Sequence, residues 1–279
     1  MTNPVKNPYL AALEWQIAEG VDEGISDTPV NRTAPPVLKD VLADAPPISK
    51  MLVNSTNSLD LGGTSQAVAE AAKLAKSCHS LEELRAAIAA FDGLSIKKTA
   101  TNMVFADGNP NAHVMVIGEA PGADEDKAGK PFMGAPGQLL DKIMAAIGLS
   151  RTSDDAANSV YLTNILNWRP PGNRTPNPAE IDISLPFIER HIALVKPRYI
   201  ILSGGVAAKG LLGSGDNISK LRGKFHDYTP RTDGIAVGLL EGGFVIPSVP
   251  TYHPSYLLRT PSQKKAVWMD MLMLHEKLK

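Results

Sequence analysis

The chain has 279 residues, 43% of them hydrophobic, and a net charge of −1. That supports one sizeable core plus an appendage, excludes a wholly disordered chain, and requires any nucleic-acid contact to come from a local basic groove. One cysteine, Cys78, excludes an internal disulfide framework and any cluster held by four thiolates, and points to a reducing, cytoplasmic compartment.

Residues 1–63 hold Pro35-Pro36, Pro46-Pro47 and Asn54-Ser55-Thr56-Asn57-Ser58, and read as a flexible tail or linker. A short helix is expected at Pro8–Glu19; the rest is a tether or an arm for an unknown partner. No basic-then-apolar leader opens the sequence and no apolar run is long enough to span a bilayer, so a soluble protein without a membrane partner is expected. Residues 64–95 read as a helical segment packed on the core. Thr64-Ser65-Gln66 opens a helix through Ala67–Ser77. Ser80 and Glu83 form a capping box for a second at Ser80–Phe91, with Leu81, Leu84, Ile88 and Phe91 on its apolar face.

Strands and helices alternate from residue 96 to 279. Val114–Ile117, Val160–Thr163, Tyr199–Ser203 and Val245–Tyr252 are short and rich in β-branched residues; Gly137–Ile147, Pro178–Val195, Val206–Leu212 and Pro261–Leu278 carry helical patterns. The pattern predicts an α/β fold: a three-layer α/β/α sandwich with a central, mostly parallel four-stranded sheet. Ligand sites in such sheets lie beyond the carboxyl ends of the strands. Gly118-Glu119, Asn164 and His253 each directly follow a predicted strand, so three distant segments converge on one edge.

Those segments are Gly118-Glu119-Ala120-Pro121-Gly122-Ala123-Asp124-Glu125-Asp126, the run from Asn164 through Trp168-Arg169-Pro170-Pro171-Gly172-Asn173-Arg174, and His253-Pro254-Ser255-Tyr256-Leu257-Leu258-Arg259. With Gly129-Lys130-Pro131-Phe132-Met133-Gly134 between the first two, they resemble the uracil-DNA glycosylase superfamily, and over the longest stretch its family 4. The likeness runs from about Phe91 to Lys279. It implies a monofunctional enzyme, working as a monomer on DNA containing uracil. Such an enzyme flips the base out and hydrolyses its N-glycosidic bond, leaving an abasic site for base-excision repair. The alternative is a non-catalytic DNA- or damage-binding protein on a glycosylase scaffold.

The resemblance also implies roles. His253 donates to uracil O2 as negative charge builds on the leaving base. Asn164 reads O4 and N3–H, Phe132 stacks on the flipped ring, and the backbone of Gly118 and Ala120 borders the base. Glu119 and Glu125 are the candidates for handling the water, with Asn173 paired to Glu125; a loop-bracing role for that pair is the equal alternative. Ser255, Arg259 and Arg174 meet DNA phosphates, and Leu257 is the favoured wedge into the duplex. Family 4 members normally hold an iron–sulfur cluster on four cysteines. The matching positions here read Phe91, Leu94, Trp168 and Ser184, so neither cofactor nor metal is expected, and the apolar three should fill that volume.

Overall fold

Six strands form one sheet: β1 (Asp107–Gly108), β2 (Val114–Gly118), β3 (Val160–Asn164), β4 (Tyr199–Ser203), β5 (His226–Tyr228) and β6 (Ile246–Thr251), in the order β1-β3-β2-β4-β6-β5. The computed structural model describes residues 61–236 and 245–279, all within one compact unit, Asn57–Lys279. The helix expected at Pro8–Glu19 lies outside the described residues. The four inner strands are parallel and coincide with the four expected from sequence. β1 and β5 add antiparallel edges, enlarging the expected four-stranded sheet to six. Two and three residues long, they are too short to show a period-two pattern.

The inner strands are apolar on both faces because helices cover both. The helices are α1 (Leu61–Ser77), α2 (Leu81–Ala90), α3 (Ala123–Ala128), α4 (Gly134–Ala145), α5 (Pro178–Val195), α6 (Gly205–Leu212), α7 (Ile218–Leu221), α8 (Pro254–Arg259) and α9 (Lys264–Leu278). Along β2, Met115 and Ile117 join a core with Ala71 of α1, Leu84 of α2, Ile192 of α5 and Leu211 of α6. Val114 and Val116 point the other way, into a core with Leu140 and Met144 of α4 and Val267 and Met271 of α9. Strand alternation thus divides one run of apolar residues between two layers.

Local signals set the helix ends. The Ser80 hydroxyl accepts the Glu83 N–H at 3.1 Å, and the Glu83 carboxylate accepts the His79 N–H. Asn177 and Glu180 form a reciprocal capping box at the start of α5, with Pro178 in the first turn. α1 and α2 pack on α5. A buried guanidinium fastens this layer: Arg190 of α5 donates Nε to the Cys78 carbonyl at 2.8 Å and Nη1 to the Ile235 carbonyl at 2.7 Å.

Candidate active site

A cavity of about 450 Å³ opens at the carboxyl ends of the inner strands, lined by Glu119, Phe132, Asn164, Asn173, His253 and Arg259 among others. Strand register brings the first two motifs together, since Gly118 of β2 lies opposite Asn164 of β3. Gly118 must lack a side chain: a Cβ there would sit 2.3 Å from Asn164 Oδ1 and 2.8 Å from Phe132 Cζ. The buried Asn164 amide and the buried Phe132 ring meet over that gap. Phe132 holds a left-handed backbone, φ 52°, and its ring stacks on that of His253 with centroids 5.7 Å apart.

His253 caps α8, two residues after the end of β6. Its Nδ1 accepts the Ser255 N–H at 3.2 Å and lies 2.9 Å from Ser255 Oγ. A backbone N–H can donate only to an unprotonated ring nitrogen, so the neutral imidazole carries its proton on Nε2. Burial, with the Arg259 charge adding to it, pushes the His253 pKa down to about 4, so the ring is neutral at physiological pH. Burial alone pushes the Glu119 carboxyl above the ordinary carboxylate value. The site therefore holds a neutral N–H donor, a carboxyl that takes up a proton more readily than usual, a fixed amide and an aromatic wall.

Ala120, Glu125, Arg174 and Ser255 also line the cavity. Glu125, expected either to handle water or to brace the loop, accepts the Gly122 N–H at 3.0 Å and the Met133 N–H at 2.9 Å, one on each oxygen. It braces α3 against the turn after Phe132. Asn173, expected to pair with Glu125, accepts Arg169 Nε at 2.7 Å. Arg174 grips Glu180 with both Nη atoms, at 2.9 and 2.6 Å, so its charge reaches the rim already paired. One expectation is corrected outright. Leu257 is 0% exposed and packs in the core, whereas Leu258 is 45% exposed. α8 starts at Pro254, and a turn of about 100° per residue points Leu257 inward and its neighbour outward. Met133 and Pro170, given no role from sequence though they stand inside the quoted motifs, also line the cavity; Pro136 is the lining residue that lies outside them, two residues past Gly134.

The positions where family 4 carries cluster ligands do not fit such a group. Phe91, Leu94 and Trp168 are buried members of one core cluster and offer no donor atom for iron. The Ser184 hydroxyl is buried without a hydrogen-bond partner, and a hydroxyl is a poor substitute for thiolate. The Phe91 ring meets Phe187 edge-on at 5.2 Å, and Lys97 Nζ stands 5.9 Å from the centre of the Trp168 ring. Cys78 directs its thiol to the Leu74 carbonyl, and the described residues include no cluster of three or more metal-binding side chains. None of the described helices is long and apolar enough to cross a membrane.

Comparison with known proteins gives the same answer as the geometry. The profile of the uracil DNA glycosylase superfamily matches residues 105–272. A type-4 uracil-DNA glycosylase of Pyrobaculum aerophilum is 36% identical over 197 residues, covering 69% of this chain and 92% of the relative. Type-4 uracil-DNA glycosylases of Sulfurisphaera tokodaii and Archaeoglobus fulgidus are 33% and 32% identical, each over 71% of this chain and over 84% and 92% of their own lengths. With its motifs gathered around one cavity at the strand ends, the chain belongs to the uracil-DNA glycosylase superfamily, beside the type-4 enzymes.

Proposed function

We propose that this chain is a monofunctional uracil-DNA glycosylase of base-excision repair. The observation that carries this is the committed Nδ1 of His253, which leaves Nε2–H as the donor in a cavity bounded by Phe132 and Asn164. Uracil enters the cavity by flipping from the duplex and stacks on Phe132. The Asn164 amide donates to O4 and accepts from N3–H, a pattern that cytosine does not present. As the C1′–N1 bond breaks, its electron pair moves onto the base, and His253 Nε2–H stabilises the charge at O2. Water adds to C1′ and Glu119 takes its proton, which passes through solvent to the released uracil anion and so restores the carboxylate. The raised affinity of Glu119 for a proton suits that task.

Glu125 is the brace of this machinery rather than its base, and Asn173 shapes the rim through Arg169. Ser255, Arg259 and Arg174 meet the phosphates flanking the flipped nucleotide. Leu258, in place of Leu257, fills the gap left in the stack. One reducing-type cysteine supports a cytoplasmic enzyme. An oligonucleotide bearing one uracil tests the assignment. The strand should break at uracil only after alkali, with free uracil released. Intact strands after alkali, with binding retained, would mark a damage-binding protein instead.

A further inference from the structure

Arg151 stands outside every recognised motif, yet its guanidinium reaches the wall of the cavity from behind. The side chain is 12% exposed and all three nitrogens are engaged. Nε donates to Asp141 Oδ1 at 2.7 Å and Nη1 to Asp107 Oδ2 at 3.2 Å. The two carboxylates orient the fork, and Lys130 Nζ holds the other Asp107 oxygen at 3.0 Å. Thus aimed, Nη1 donates to the Pro131 carbonyl at 3.3 Å and Nη2 to the Phe132 carbonyl at 3.0 Å.

The Phe132 carbonyl and the Met133 N–H belong to one peptide unit. Arg151 holds its oxygen, and Glu125 Oε1 holds its N–H at 2.9 Å. A cation and an anion therefore grip the same peptide from opposite ends, with charge-assisted bonds. Close packing completes the seat, because a Cβ at Gly137 would lie 1.8 Å from the Phe132 oxygen. The grip is needed because a left-handed φ of 52° is uphill for an aromatic residue. Turning this peptide would swing the ring away from His253 and from the space over Gly118.

We infer that Arg151 is a positioning residue for base excision: it locks the Phe132–Met133 peptide so that the Phe132 ring is preset to receive uracil. This presupposes that Phe132 stacks the base. Only the planar fork of arginine reaches two carboxylates and two carbonyls at once, so lysine is not an equivalent.

The test uses the full chain, single-turnover excision from uracil-containing duplex, and inhibition by free uracil. Arg151→Met should slow excision by about 10- to 100-fold, the scale on which misplacement by about 1 Å acts. Inhibition by free uracil should weaken by a similar factor, while affinity for duplex lacking uracil stays within about twofold. In a Phe132→Ala background, Arg151→Met should add less than about twofold, since the residue to be positioned is gone. A merely structural arginine would lower the melting temperature, leave uracil inhibition unchanged and multiply with Phe132→Ala, and that result overturns the inference. If Arg151→Met does not fold, Arg151→Lys decides. It should show the same paired loss of rate and uracil inhibition, and wild-type values for both refute the role. Phe132→Ala at wild-type rate would instead remove the stacking role itself, a separate failure.

Discussion

Replacing Gly118 by alanine adds one methyl group at the meeting point of the base-reading elements. Its φ lies outside the left-handed region, so the backbone accepts alanine without strain. The new Cβ would lie 2.3 Å from Asn164 Oδ1 and 2.8 Å from Phe132 Cζ, against an ordinary contact of 3.4 Å or more. The Asn164 oxygen must therefore retreat by about 1 Å and the Phe132 ring by somewhat more than half of that. Both are side-chain atoms, so the fold adjusts and the site does not. A displacement of about 1 Å in a positioning group costs on the order of 10²-fold, or about 2.7 kcal/mol of transition-state stabilisation. Gly118→Ala should lower single-turnover uracil excision by about that factor, with thermal stability and affinity for undamaged duplex nearly unchanged. Excision at the wild-type rate would show that Asn164 and Phe132 do not work from the places they occupy in the free protein.

Further measurements follow from other parts of the site. His253→Ala should reduce excision by about 10²–10³-fold, the usual effect of one lost donor to a developing anion, while DNA binding survives; an unchanged rate would remove His253 from the chemistry. The folded His253 pKa, about 4, lies below the unfolded value near 6.5. Stability from keeping it neutral is thus complete above about pH 6.5 and lost as pH falls toward 4, at about 1.4 kcal/mol per pH unit. His253→Asn should make that acid slope shallower by about one proton, measured by denaturant titration at several pH values. Leu258→Ala should impair excision from duplex far more than from single strands, whereas Leu257→Ala should cost about 2–5 kcal/mol of stability; the reverse pattern would restore Leu257 as the wedge. Trp168→Ala should destabilise the fold by about 3–5 kcal/mol, and a near-zero change in denaturation midpoint would show that it does not hold the helical layer to the sheet.

The parts of this site that are legible in sequence have a local cause. Gly118 and Asn164 end their strands and His253 stands two residues past the end of β6, so strand endings mark them and parallel topology assembles them. The start of α5 follows from Asn177, Pro178 and Glu180, a signal held within four residues. Leu257 and Leu258 illustrate what is not legible. Both are apolar, and which one faces solvent depends on the phase of a six-residue helix. Glu125 is ambiguous for another reason: its composition is the same whether it faces water or accepts two backbone amides. Arg151 leaves no local trace, because its partners lie up to 44 residues away and meet only in the folded chain. The edge strands are set by pairing with β3 and β6 rather than by any period of their own.

Arg190 bears on how much of the chain is needed to fold. Its guanidinium is buried, and its hydrogen bonds run to the carbonyls of Cys78 and Ile235, not to a carboxylate. A chain cut back to residues 105–272 would keep every residue of the cavity yet lose the Cys78 carbonyl, stripping α1 and α2 from the apolar side of α5. An ionised group would then stand half-solvated beside exposed Ile188 and Ile192. The minimal autonomous unit is accordingly larger than the minimal catalytic one. The N-terminal helices should resist proteolysis and hydrogen exchange together with the sheet, as one cooperative block.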